Sequence, residues 1–277
     1  MLTRNPHLWT CFICAVSLLL LSAGNGLAQD PLELEEGYYS SALDEWGLAI
    51  TPYAWFAANS TNVGGQAIRQ SFNDLASLTN LGFQCRLLAR WRWAMFLADW
   101  TYADMGTEQE IGPVTTDIGV KQHILDMKIG GAVYDTRTPA QDGGMAIWIA
   151  AGTRYWDNTV NYTISREPII PGDPIVETGS TGQTWWDPVL GLGMHFPVTP
   201  KVGFLVRATG GGFGIGSASD YMWDAEISSL FKISSRLMIS AGYRQFKYSR
   251  KDGSGEDEVQ QTVTVVGPAL GLSIGIL

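Results

Sequence analysis

The chain has 277 residues and a formal net charge of −9, with 27 acidic against 18 basic side chains, which argues against nucleic acid or anionic lipid as a generic partner. Charged residues make up only 16% of it, below the roughly 25% of a soluble domain, whereas 11 Trp and 10 Tyr are unusually many. Few charges and many interfacial aromatics favour a membrane, and three cysteines, two of them in the first 14 residues, exclude a disulfide framework.

Residues 1–28 combine Arg4, an apolar run over 11–21 and small residues at Gly26 and Ala28, the pattern of a secretory signal peptide cleaved after Ala28. The run is too short to span a bilayer comfortably. Cys11 and Cys14 leave with it, and no lipid anchor is indicated. Loss of Arg4 makes the mature chain one unit more acidic and leaves Cys85 as its one thiol, an apolar strand residue. No later run reaches about 18 apolar residues, so any crossing must be made of strands. Residues 29–45, with Asp30, Glu33, Glu35 and Glu36, carry no strand pattern and are expected to be an acidic periplasmic lead-in to a barrel over 46–277.

The first predicted strand covers 46–56, where Pro52 is tolerable near an edge or a bulge. A turn-rich loop follows at 59–65. The spacing over 71–78 then switches to that of one short helix, with a Ser or Asn available as its cap. Residues 82–91 and 93–104 read as a tight hairpin about Arg92, with Phe83, Cys85, Leu87, Phe96, Ala98 and Trp100 on the outer face. A loop at 105–113 leads to a strand over 117–134, a polar turn at 136–144 and a long strand over 145–163. The Pro- and Gly-rich stretch 166–184 is the longest expected loop.

Between residues 185 and 248 four alternations follow one another with turns between them and almost no helical periodicity. Leu190, Leu192, Met194 and Phe196 oppose Gly191, Gly193 and His195; Phe204 and Val206 oppose Arg207; Trp223, Ile227 and Phe231 oppose Asp224, Glu226 and Lys232; Ile239 and Tyr243 oppose Ser240 and Arg244. Period two with one oily face is strand grammar. A charged loop at 249–258 precedes the last strand, 259–277. Because bacterial barrels have short periplasmic turns and longer outer loops, the turns at 92, 197–201 and 234–236 are assigned to the periplasmic end. The fold class is therefore all-β: an antiparallel up-and-down transmembrane β-barrel of about ten strands with one short helix near 71–78. Eight strands remain open if the ends are overread, and twelve if 65–70 adds a hairpin; the segment 57–79 lies outside or folds inward.

Several pieces carry a resemblance. Thr51-Pro52-Tyr53-Ala54-Trp55, Ser71-Phe72-Asn73-Asp74-Leu75, Trp185-Trp186-Asp187-Pro188 followed by Gly191, the glycine run Gly211 to Gly216, and Gly242-Tyr243-Arg244 are together similar to a family of bacterial outer-membrane β-barrel proteins, mostly uncharacterised. The resemblance implies compartment and fold; it brings no catalytic residue. The chain departs from it at Ile276-Leu277, where such barrels usually end in an aromatic residue read by the assembly machinery.

The same faces carry the residues that could do chemistry. His123 and His195 both lie in strands among apolar or glycine neighbours, with no Glu or Cys at metal-ligand spacing, and are read as structural. A barrel-embedded lipid hydrolase would need a Ser beside a His near the outer rim, and His123 alone keeps that alternative open. Glycines 210–212, 214 and 216 follow no strand-to-helix pattern and lack a nucleotide-site Lys, so they are read as a strand end and loop. The inward faces hold Arg86, Arg90, Lys128, Arg154, Arg207, Lys232 and Arg244 with Asp99, Asp126, Asp187, Asp224 and Glu226. Inside a barrel such groups are solvated by a channel or paired with one another. A ladder of pairs would plug the bore, whereas a basic excess would line a small anion-preferring pore. Arg207 is expected to pair with an interior acid such as Asp187. The expected function is a structural envelope component or a narrow channel for small solutes, non-enzymatic and without cofactor, inserted in outer-membrane lipid by the barrel-assembly machinery. An exported soluble barrel that binds a ligand is the alternative from another class.

Overall fold

The computed structural model describes residues 46–63, 65–111, 114–136, 144–166, 175–253 and 258–276. The expected signal peptide and lead-in fall at 1–45, outside the described residues. Twelve strands follow in order: β1 (Trp46–Trp55), β2 (Ala58–Val63), β3 (Gln66–Gln70), β4 (Thr79–Trp91), β5 (Ala94–Ile111), β6 (Val114–Asp135), β7 (Ala146–Arg166), β8 (Ile175–Thr199), β9 (Val202–Gly211), β10 (Tyr221–Lys232), β11 (Leu237–Asp252) and β12 (Val259–Gly275). A helix of about two turns, α1 (Phe72–Leu78), separates β3 from β4.

Ten of these strands close a ring. β1 pairs antiparallel with β4 on one side, Ile50 opposite Leu87, and with β12 on the other, Ile50 opposite Ile274. Every remaining neighbour in the ring pairs with the next in sequence. Closure leaves no free edge along the paired span, which satisfies the backbone without water. The short β2–β3 hairpin is added outside the ring: β2 continues β1 past an interruption at Phe56 and Ala57 and stays on β12, with Val265 opposite Asn59. Ten is therefore the barrel number, and the hairpin considered at 65–70 exists without widening the barrel.

One end gathers the Arg92 turn, where Arg92 itself takes φ 55°, the turn at 199–202 and the turn at 233–236. The first strand and the last strand meet there as well, since Ile276 N–H donates to Leu48 O and Gly275 N–H to Arg236 O. The other end carries long strand extensions, and here several expected loops are corrected. β8 begins at Ile175, so most of 166–184 is strand; β5 runs to Ile111 and β11 to Asp252; and 58–63 is strand instead of loop. Outside hydrocarbon a strand keeps its ladder without an oily face, so Thr-, Gly- and Asn-rich stretches pair without showing the alternation by which the core segments were recognised.

The helix begins as its sequence suggests. Ser71 is the N-cap, its Oγ accepting from Asp74 N–H at 3.3 Å, while the Asp74 carboxylate accepts from Ser71 N–H at 2.7 Å, a reciprocal capping box. Phe72 sets its ring edge-on to Phe56, 5.3 Å between centroids, and so tethers the helix to the break between β1 and β2.

The two faces of the wall differ sharply. Ile129, Ile149, Leu190, Leu192 and Ile227 point outward and are exposed, Ile129 at 71% and Leu190 at 60%. Aromatic rings flank this belt, with Trp46 stacked on Trp91 at the short-turn end and Trp100, Trp186 and Tyr243 toward the other. Apolar surface of this extent facing away from the core is a lipid-facing band, since a soluble barrel would place charge there.

Candidate functional site inside the barrel

Strand alternation decides what enters the bore. Along β10, Met222, Asp224, Glu226, Ser228 and Leu230 are buried in succession at every second position, and on β11 Met238, Arg244, Phe246 and Tyr248 share the inward face. The residues drawn inward sort into three layers.

The middle layer is an ion-pair network. Arg86 on β4 donates from Nε to Asp99 on β5 at 2.8 Å and from Nη2 to Glu226 on β10 at 2.7 Å, so it bridges opposite walls. Glu226 also accepts from Arg207 on β9 and from Ser228 Oγ. Arg244 on β11 is paired with Asp224 on β10 through two nitrogens. Asp224 further accepts from Arg154 on β7 at 3.2 Å. Arg154 in turn is held by Asp126 on β6, which also pairs with Lys128 at 2.8 Å. Tyr53 on β1 ties the two halves: its hydroxyl donates to Asp99 at 2.7 Å and accepts from Arg244 at 2.8 Å. Such dense reciprocal pairing is what allows charge to be held in a bore at low solvation.

Above this layer, toward the long extensions, lies an aromatic cluster. Trp156 and Trp185 stack with centroids 5.1 Å apart, and Phe246 and Tyr248 pack on Trp156 at 5.5 and 5.0 Å. Val189, Met222 and Val263 complete the buried group. Asp187 sits inside it with 0% exposure. Its carboxylate accepts from Trp156 Nε1 at 2.9 Å, from Ser219 N–H at 2.7 Å and from Ser219 Oγ at 2.9 Å, pinning the β9–β10 connection into the bore.

Below the ion pairs, on the short-turn side, a cavity of about 140 Å³ remains. The charged layer forms its roof, and Leu205, Leu230, Met238, Leu97 and Trp148 form apolar walls.

The twelve residues singled out from sequence divide accordingly. Arg86, Asp99, Asp126, Lys128, Arg154, Arg207, Asp224, Glu226 and Arg244 come together in the network. Arg90 lines the cavity and Lys232 stands at the end of β10 next to the turn. Asp187 is a correction: Arg207 pairs with Glu226, and Asp187 turns away to anchor Ser219. Tyr53, Ser228 and Ser219 belong to the same constellation and were not singled out. Tyr53 lies two residues from Thr51 and Trp55, so the alternation of β1 could have placed it inward; nothing local marks Ser219. His123 faces outward against Tyr102, 4.6 Å between centroids, with Asp157 as its other cross-strand neighbour, and His195 is buried near the short turns.

A closed ten-stranded antiparallel ring with an apolar outer band, flanking aromatics and a charged interior has the fold of a bacterial outer-membrane β-barrel protein. Among solved structures, the outer membrane protease OmpT from Escherichia coli superposes with a TM-score of 0.52 at 8% identity, over 86% of this chain and 100% of that one. The Pseudomonas putida toluene transporter TodX (TM-score 0.29, 10% identity, 87% and 95% covered) and Neisserial surface protein A (0.29, 12%, 83% and 96%) match more loosely and bear on no detail of structure or function. No family model and no curated relative matches the chain. The first likeness speaks to fold alone.

Proposed function

We propose that the chain is a structural outer-membrane barrel with a closed bore, exported by its N-terminal signal and placed in outer-membrane lipid by the barrel-assembly machinery. The observation that carries this reading is the cross-bore pairing of Arg86, Arg154 and Arg244 to carboxylates on both sides, with the Trp156–Trp185 stack seated above it. An open pore keeps its charged ring hydrated and free to meet passing ions; paired charges beneath stacked indoles offer an ion neither water nor a vacant partner. A soluble binder is disfavoured by the exposed outward band, and a rim hydrolase by the neighbours of His123, which are Tyr102 and Asp157 instead of a serine.

Planar-bilayer recording on purified protein, its folding checked by heat-modifiable gel mobility, tests this. Inserted protein is expected to give no steady conductance. Stable single-channel steps would replace the closed barrel by the narrow channel for small solutes, and recovery from cells as a soluble periplasmic monomer would remove the membrane reading altogether.

A further inference from the structure

We propose that the uncovered edge of β8 is a self-recognition surface: two copies of the chain join β8 to β8 as antiparallel neighbours, head to head, and so link two facing membranes. Its setting rests on the outer-membrane barrel reading, and the pairing holds whether or not the bore is closed.

The edge arises because the wall is uneven in height. β8 pairs with β7 from Ile175 opposite Arg166 to His195 opposite Ala146 without a register shift, but β9 joins it only from Val189 onward. Above that point β9 has left the wall: Gly211 is its last residue, and Gly212, at φ 85°, turns the chain toward β10. Residues 175–184 therefore stand as a strand paired on one side, and all but Gly179 are exposed. One hydrogen bond shows which groups the open side carries. Gly212 N–H donates to Pro188 O at 3.0 Å, so Pro188 directs its carbonyl away from β7. Backbone groups alternate sides along a strand and the ladder is unbroken, so Val176, Thr178, Ser180, Gly182 and Thr184 direct their N–H and C=O the same way. Among the described residues no backbone group meets them there.

Charge, proline, a bulge or shortness normally keeps an exposed edge from pairing with another chain. Other uncovered edges in this protein follow that rule. β3 has five residues with an exposed Arg69, and β5 past Met105, beyond its pairing with β4, bears an exposed Glu108. Over 175–184, β8 has no Pro, Lys or Arg and one acid, Glu177, among Ile, Val, Thr, Ser, Gly and Gln.

A second copy fits this edge in register, charge and direction. A two-fold axis through Ser180, perpendicular to the sheet, sets Ser180 against Ser180 of the second copy, Thr178 against Gly182 and Val176 against Thr184. Each open N–H and C=O then meets its counterpart, and side chains of the same face stay together. Glu177 lies opposite neutral Gln183, so no like charges meet. Direction fixes the rest. β8 runs from the extension end at Ile175 to the short turn at Thr199, so copies side by side in one membrane present it in the same sense. An antiparallel partner comes inverted, from a membrane that faces the first.

The sample is purified protein at one barrel per lipid nanodisc, its folding read by heat-modifiable gel mobility. Light scattering is expected to show a concentration-dependent dimer of discs, and electron microscopy to show the discs stacked face to face. Ser180→Pro removes a donor that the β7 ladder does not use, as Pro188 already does in the same strand, so it should keep the fold and weaken association at least tenfold. In a Cys85→Ala background, which removes the free thiol, oxidised Ser180→Cys should give a covalent dimer, because facing residues of such a pair lie ~5.5 Å apart between Cα atoms. Asn161→Cys, directly opposite Ser180 on β7, should give none, since its two copies would be three strand spacings, ~14 Å, apart. Folded discs that stay single at every concentration overturn the proposal, as do equal cross-linking at 161 and 180, association untouched by Ser180→Pro, or discs joined edge to edge. A parent protein that does not fold in discs removes the membrane barrel and the proposal with it, whereas folded single discs remove the proposal alone.

Discussion

Arg86 and Glu226 are 140 residues apart in sequence and face each other from opposite walls of the barrel with Nη2 and Oε2 2.7 Å apart. Glu226 is also the partner of Arg207, so one carboxylate neutralises two guanidiniums.

Glu226→Ala should therefore be among the most damaging interior changes. It leaves two half-buried cations, Arg86 and Arg207, short of a partner, and the loss should approach the ~3–5 kcal/mol of breaking a fully buried pair. Urea unfolding in lipid vesicles should show that loss, and bilayer recordings of whatever folds should show leak current absent from the parent.

The outer face should respond in the opposite sense to charge. Leu190 is exposed in the middle of the apolar band, and Leu190→Arg should cost roughly 2–4 kcal/mol, the penalty for Arg in the bilayer midplane. Arg207→Ala should fold nearly as well as the parent, because Glu226 keeps Arg86 and Ser228. Refolding yields into vesicles for the two variants give the comparison; if the arginine is tolerated at 190 and the alanine is not at 207, the faces are exchanged.

Gly193 sits where a Cβ would lie 2.0 Å from Cζ2 of Trp148. Gly193→Ala must push the indole from its place in the cavity wall. The expected cost is about 1–3 kcal/mol, as for other overpacked sites, with a shift in Trp148 emission read as the difference between the variant with and without Trp148→Phe.

Helix α1 should respond to acid in a defined direction. Hydrogen bonds from the Ser71 hydroxyl and backbone N–H hold the Asp74 carboxyl below its ordinary value of 3.8. A carboxyl lowered on folding stabilises the folded form above its unfolded pKa, and that contribution disappears as pH falls through the lower folded value. Amide exchange across residues 72–78 should keep its protection at pH 5 and lose it below 3.8, whereas Asp74→Ala should start less protected and show no such step.

Period-two alternation is a local property, so Leu190 against Gly191, or Phe204 against Arg207, could be assigned to outside and inside without knowing any neighbour. A ring of about ten followed, with eight and twelve left open, because each apolar alternation marks one crossing of hydrocarbon. The helix start was readable as well, since Ser71 and Asp74 satisfy each other three residues apart. Strand ends were not: the extensions of β5, β8 and β11 lie beyond the lipid, where nothing forces one face to be oily and the chain reads like loop.

Only closure decided which charges meet across the bore. Arg207 and Glu226 are brought opposite by the β9–β10 register, but Arg86 reaches Glu226, and Tyr53 joins Asp99 to Arg244, because the tilt and stagger of ten closed strands set the heights of opposite walls. No spacing along the chain encodes those heights. Asp187 shows the same limit from the other side: its alternation put it inward, yet its partner is a serine of the β9–β10 connection carried back into the bore. Local periodicity set the class of fold and the faces of the lipid-crossing alternations; the pairing across the bore and the cavity below it exist only once the sheet has closed on itself.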